Sequence, residues 1–328
     1  MNKKSILLFL ISAIAFSAIA DSFSLTQKEQ QQIFEEAEDW IDDIPLGLQD
    51  RLSDAVNHAQ HGFFSEIEYF RNLKDTTGLG SYNVLVEEIK GGSDIALNMR
   101  LYSSSGERNQ NEKLPLLIYF HSGGWSIGSL ETADKFCRAL ASFGNVKVIS
   151  VEYPLAPEHP YPAAIEQTAS ATEYIFKNSQ QWEASSISLG GDGAGGNIAL
   201  ATFYRLPENI NVASLVLFYP LVKAGGELNR DSKSKYGRGY GFDSRLWEAF
   251  SQAYKGEDKQ IDKTLPPTLL ISAGRDIVID QEKELAGNAQ VKYVEFTGAI
   301  HGFISDGHQT SAFNKAVELC DLFLTHRQ

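Results

Sequence analysis

Three stretches of the chain carry residue types suited to acyl transfer. GGDGAGG (190–196) follows a short apolar run and leads into a helical pattern. Asp276 follows the run that ends in SAG, and His301 sits in IHGF. HSGGW (121–125) stands directly after another apolar run. Acyl transfer needs a nucleophile, a base to take its proton and a group that orients the base. It also needs backbone N–H donors for the developing oxyanion. His301 and Asp276 are candidates for the base and its orienting acid. The glycine-rich loops are candidates for the donors. Turn, then aspartate, then histidine is one of the chain orders in which this unit is built. Gly193 stands at the point of the turn, where the nucleophile belongs, and it has no side chain.

Taken singly, each piece has a plainer reading. A glycine-rich turn after a strand is often only a turn. His301 alone could be a satisfied core or surface histidine, and Asp276 alone could cap a following helix. GRGYG (237–241) follows no clear strand, which argues against a dinucleotide fingerprint. Cys137 and Cys320 are too few and too far apart for a metal site or a disulfide-rich scaffold. No metal and no cofactor is expected.

The elements that must position these residues can be read from hydrophobic patterning. Residues 82–89 and 95–103 form two strand patterns, with Gly91-Gly92 turning between them. Strand-like runs at 114–121, 147–153, 187–191, 213–220, 266–274 and 291–296 then alternate with helical patterns at 131–143, 163–176, 194–205 and 311–324. Such alternation predicts an α/β fold with a mostly parallel central sheet and helices on both faces. The runs are apolar at consecutive positions, as in strands covered on both sides. Residues 221–262 break the alternation with a polar, glycine-rich stretch and a helix over 243–254, which we read as a lid insertion. Residues 21–80 are polar and helical, with Ile33, Phe34, Ala37 and Ile41 at helical spacing. No linker separates them from the strands beyond, so they read as a helical lid or flank of one domain over 81–328.

The chain begins with a basic start, Asn2-Lys3-Lys4, then SILLFLISAIAFSAIA, then Asp21. This is a secretory signal pattern with cleavage near Ala20, which predicts a periplasmic or extracellular protein. The run is shorter than the ~20 apolar residues that span a bilayer, and no Cys follows it to carry a lipid, so no stable membrane anchor is expected. Removing residues 1–20 takes away two lysines and no acid, so the net charge of −13 becomes −15. That balance argues against nucleic acid or an anionic membrane surface as a partner.

Five motifs in order, HSGGW, YPLAPEHPYPAA (153–164), GDGAGG, GRD (274–276) and HGF (301–303), resemble the hormone-sensitive-lipase-like (bacterial) esterase family of the α/β-hydrolase fold. The resemblance covers residues 80–325. It implies that Gly123 and Gly124, with the N–H of Ala194, form the oxyanion hole, that Asp276 orients His301, and that His301 is the general base. It implies a structural role for His121 and puts Gly193 in the place of the nucleophilic serine. Ser122 and Trp125 are then expected to face the substrate. It also places Cys137 and Cys320 on one face of the sheet, where an exported protein could pair them.

The sequence departs from that family at its most consequential position. Glycine suits a strained turn, so the fold should persist while the usual chemistry should not. Ser122, where the family has glycine, is one substitute nucleophile. Asp192 is another if the frame slides by one residue, and a water activated by His301 is a third. Tyr153-Pro154 and Asp276-Ile277 also differ from the commoner Tyr-Arg and Asp-Pro, and the helix after Asp280 should be short. The expectation is an exported carboxylesterase-like protein that binds a small ester-like or apolar ligand, or a protein partner, without turnover. The alternative is an active hydrolase of short-chain esters.

Overall fold

The computed structural model describes residues 23–72, 82–90, 97–106, 113–225, 227–257, 263–305 and 307–326. The signal-like residues 1–20 and the turn at Gly91-Gly92 lie outside these.

Eight strands form one sheet. They are β1 (Val84–Lys90), β2 (Asn98–Ser104), β3 (Leu114–Phe120), β4 (Lys147–Val151), β5 (Ala184–Asp192), β6 (Leu215–Phe218), β7 (Thr268–Arg275) and β8 (Val291–Ile300), in the spatial order β1-β2-β4-β3-β5-β6-β7-β8. β1, β2 and β4 pair antiparallel, and every other neighbouring pair is parallel. β3 shows why the sequence pattern took the form it did. Leu116, Ile118 and Phe120 enter the hydrophobic cluster on one face, and Leu117 and Tyr119 enter the cluster on the other. Side chains alternate across a strand, so burial on both faces demands an unbroken apolar run.

Helices cover both faces. Ser129 accepts from the N–H of Glu131 and opens α4 (Leu130–Ser142). Phe136, Cys137 and Leu140 of α4 share a cluster with Phe313, Val317 and Cys320 of α10 (Thr310–Thr325). The two cysteines lie on one face, but both are buried thiols without a disulfide. They pack there as small apolar groups. The other face carries α5 (Ala163–Lys177) and α6 (Ala194–Arg205), whose Ile165, Ala169 and Ile198 sit in the second cluster. The helix after Asp276, α9, runs only from Ile279 to Ala286, as short as the sequence suggested.

The N-terminal segment forms three helices with two tasks. In α1 (Gln27–Asp43), Thr26 and Glu29 make a reciprocal capping box. This helix lies along β8, the sheet edge. The Gln30 side chain donates to the Glu295 carbonyl and accepts from the Thr297 N–H, both at 2.9 Å, and so occupies backbone groups that an edge strand would leave unpaired. α2 (Leu48–Gln60) packs against α8 (Ser244–Tyr254) of the 221–262 insertion, which also holds α7 (Arg230–Tyr236). α3 (Ser65–Arg71) delivers Arg71 to the loop after β3. The N-terminal segment and the insertion therefore meet where α2 packs on α8, and we refer to these helices as the cap. Among the described residues, no helix is long and apolar enough to cross a membrane.

Candidate active site

The site forms where β3, β5, β6, β7 and β8 end. β5 stops at Asp192, Gly193 turns, and α6 starts at Ala194. Gly193 has φ 51° and ψ −116°. A residue with a side chain held there would be strained by about 1–3 kcal/mol. Glycine adopts this backbone freely. The turn is pinned to the strand next door: the Gly193 N–H donates to the Phe218 carbonyl and the Gly193 carbonyl accepts from Leu221, each at 3.0 Å. The sharp turn is therefore held by backbone bonds alone, and its residue has no side chain.

Asp276 and His301 meet as expected. His301 Nδ1 lies 2.5 Å from Asp276 Oδ2, and the other carboxylate oxygen accepts from the Val278 N–H at 3.1 Å. An ionised carboxylate only accepts, so Nδ1 carries the proton and Nε2 of the neutral ring is an acceptor. The His301 side chain is 10% exposed and that of Asp276 is 0% exposed. Phe242 stacks on the imidazole with ring centroids 4.5 Å apart, and Tyr219 tilts against it at 4.7 Å. Nε2 points at the turn: a Cβ built on Gly193 would lie 3.3 Å from it.

The loop after β3 completes the site. The N–H groups of Gly123, Gly124 and Ala194 have no hydrogen-bond partner among the described residues. Free donors at the edge of a packed interior can receive an oxyanion. Phe250 of the cap lies directly over Gly124, where an added Cβ would run into its ring. Any residue other than glycine at this point would collide with the cap.

Several groups hold this loop in place. His121 is fully buried, its Nδ1 donates to the Ser122 carbonyl at 2.7 Å, and its ring stacks on Tyr153. Burial pulls its pKa down to about 4, so it is neutral and structural. The Tyr153 hydroxyl donates to the His121 carbonyl at 2.8 Å. Arg71 donates to the carbonyls of Ser126 and Ala156 at 2.9 and 3.0 Å and pairs with Glu158 at 2.7 Å.

Trp125 is not where the sequence pattern put it. It is 1% exposed, donates from Nε1 to Asn197 Oδ1 at 3.2 Å and stacks flat on Tyr254 at 4.6 Å. Its ring supports the loop from behind and presents no face to a ligand. Ser122 does reach the site. Its Oγ lies 2.7 Å from the position a Gly193 Cβ would take, and it makes no hydrogen bond to His301 Nε2. A nucleophilic role for Asp192 through a shifted frame fails on geometry. Asp192 is the last strand residue, buried beneath the turn, and accepts from Tyr119 Oη at 2.8 Å and Tyr219 Oη at 3.0 Å. Burial raises its pKa, opposed by those two hydroxyls.

Sequence reasoning missed the aromatic walls. Phe242 lies in irregular chain, and Phe250 lies on a helix whose pattern does not say which neighbour it packs on. Arg71 reaches its partners across 55 and 85 residues, a separation that a local pattern cannot show.

A family model described as alpha/beta hydrolase fold matches residues 117–305. Carboxylesterase NlhH of Mycobacterium tuberculosis is 35% identical over 171 residues, 51% of this chain and 53% of that protein. The chain thus spans about half the length of that curated relative. An acetyl esterase of Salmonella schwarzengrund is 28% identical over 229 residues, 62% of this chain and 68% of that protein. The solved esterase of Pyrobaculum calidifontis superposes with a TM-score of 0.65 at 26% identity, covering 82% of this chain and 92% of that one.

Proposed function

Since the chain belongs to the α/β-hydrolase fold family, in its hormone-sensitive-lipase-like esterase branch, we propose that it is a pseudo-esterase. In this reading it is an exported protein that binds a small ester-like or apolar ligand in an esterase site and does not hydrolyse it. One observation carries the reading. The base, its orienting acid and three free N–H donors surround a turn whose residue is Gly193. Removing the nucleophile from such a unit typically lowers kcat by about 10⁶. What is left around the turn is the imidazole, the free N–H donors and the rings of Phe242 and Phe250. Export rests on the N-terminal pattern of residues 1–20.

The alternative is hydrolysis of short-chain esters by Ser122 or by a water activated by His301. The place of Ser122 Oγ beside the turn supports it. Against it stands the missing hydrogen bond between that hydroxyl and His301 Nε2, the contact through which a base activates a nucleophile. The test is p-nitrophenyl acetate and butyrate hydrolysis by the protein and by His301→Ala, together with fluorophosphonate labelling. The pseudo-esterase reading expects background rates from both and no labelled serine. Turnover that disappears in His301→Ala, or label on Ser122, would replace it with the hydrolase reading.

A further inference from the structure

We infer that the ligand of this site is a small monocarboxylic acid, bound as its carboxylate, so that the site is built around the acid half of an ester. This rests on the pseudo-esterase reading and gives its ligand a chemical class.

In a serine esterase two oxygens meet at this place. One is the tethered hydroxyl at the turn, facing the histidine, and the other is the substrate carbonyl oxygen, facing the N–H donors. With Gly193 at the turn the tethered oxygen is absent and both sets of partners remain. Ser122 Oγ and His301 Nε2 flank the space above Gly193 Cα, 2.7 and 3.3 Å from the position of a Cβ. The N–H groups of Gly123, Gly124 and Ala194 have no partner among the described residues. Once Nε2 takes up a proton, both sets donate, and a ligand that satisfies them brings two oxygens on one carbon, both able to accept. A carboxylate does so. An ester offers one good acceptor, and its second oxygen carries a carbon group toward His301. An amide N–H₂ can donate to the neutral Nε2 but cannot form the ion pair with a protonated imidazole, so the amide is the comparison that separates the two states.

The electrostatics of the turn agree with an anion. α6 is 12 residues long, has no side-chain cap and has no acid in its first turn. Its N-terminal partial charge therefore has no capping side chain to meet it. A buried anion also needs a cation. His301, with nine-tenths of its side chain buried and Nδ1 held by Asp276, becomes that cation by taking one proton at Nε2. Other titratable groups face it too. Asp192, at the end of β5, favours its charged form. Tyr219, after β6, touches it by its ring. Glu282 of α9 lies buried near Asp276, where burial and the charge of Asp276 push its pKa well above the usual carboxylate value. The rings nearest these groups are Phe242, stacked on His301, and Phe250, against Gly124, and a small apolar remainder of the ligand suits them.

The experiment is calorimetric titration of the protein with butyrate and phenylacetate, beside butyramide and methyl butyrate, at mildly alkaline pH in buffers of different ionisation enthalpy. The carboxylates should bind about tenfold or more tightly than the isosteric amide, as expected for hydrogen bonds to a charged group. Their binding should take up one proton, and His301→Gln should abolish that uptake. Ser122→Ala should weaken carboxylate binding about fivefold or more, and Gly193→Ser should weaken it further by refilling the oxygen site. Amide or ester binding as tightly as carboxylate, no proton uptake, or no carboxylate binding at millimolar concentration would overturn the assignment and leave the non-hydrolytic reading standing. Hydrolysis of methyl butyrate by the parent protein, lost in His301→Ala, would instead overturn the reading on which the assignment rests.

Discussion

The two halves of the site have fared differently. On the base side every part is in place: His301, Asp276, the Val278 N–H behind the carboxylate, and the rings of Phe242 and Tyr219. On the nucleophile side the backbone is in place and the side chain is not. Gly193 keeps the sharp turn, its bonds to the end of β6 and the start of α6, yet it presents no atom to His301. The contrast shows that the turn's geometry and its chemistry are separable. The geometry is fixed by strand pairing and helix packing, which a glycine leaves undisturbed. The chemistry depended on one hydroxyl. The nearest hydroxyl to the turn is that of Ser122, 2.7 Å from the position of a Gly193 Cβ.

The largest test of this contrast works on a restored nucleophile. In a Gly193→Ser background, Asp276→Asn should lower kcat by about 10⁴, because the imidazole loses its orienting partner. A small effect in p-nitrophenyl butyrate assays would mean that the base side is not poised as its geometry indicates.

The loop behind the site provides a pH test. His121 has its pKa pulled from 6.5 to about 4 by burial, so between those values the folded protein binds fewer protons than the unfolded chain. Its contribution to stability is full above pH 6.5 and is lost as pH falls toward 4. The shift corresponds to about 3 kcal/mol. Urea unfolding at neutral pH and near pH 4 should show this loss, and His121→Asn should flatten it.

A smaller effect is expected at the cap. Arg71→Met removes the bonds to Ser126 and Ala156 and the pair with Glu158. It should cost about 1–2 kcal/mol in urea unfolding and raise KM in the Gly193→Ser background more than it lowers kcat. The smallest effect should come from Gln30→Ala. It frees the β8 edge for about 1 kcal/mol or less, read as a slight fall in the urea midpoint and as faster hydrogen exchange at Thr297.

The sheet and the dyad were legible in the sequence because both depend on local signals. β3, β4 and β7 are continuous apolar runs, and Asp276 and His301 follow strands within recognisable motifs. Trp125 was misplaced because adjacency to the oxyanion glycines says nothing about direction. The chain turns there through φ 60° and sends the ring inward toward Tyr254. The roles of Phe250 and Phe242 are not local: they come from α8 packing over Gly124 and from the chain just before α8 packing on His301. The thiols of Cys137 and Cys320 were placed on one face correctly, but a shared face does not make a disulfide.

If this site lacks only a hydroxyl at its turn, restoring that hydroxyl should restore the reaction. The most direct test is the initial rate of p-nitrophenyl butyrate hydrolysis by the parent, by Gly193→Ser and by Gly193→Ser with Ser122→Gly. The expected result is a parent at background, a clear gain from Gly193→Ser, and a larger gain from the double variant, since Ser122 Oγ lies 2.7 Å from the new Cβ. A parent that already turns over, with no gain from either variant, would contradict it and place the chemistry on another group.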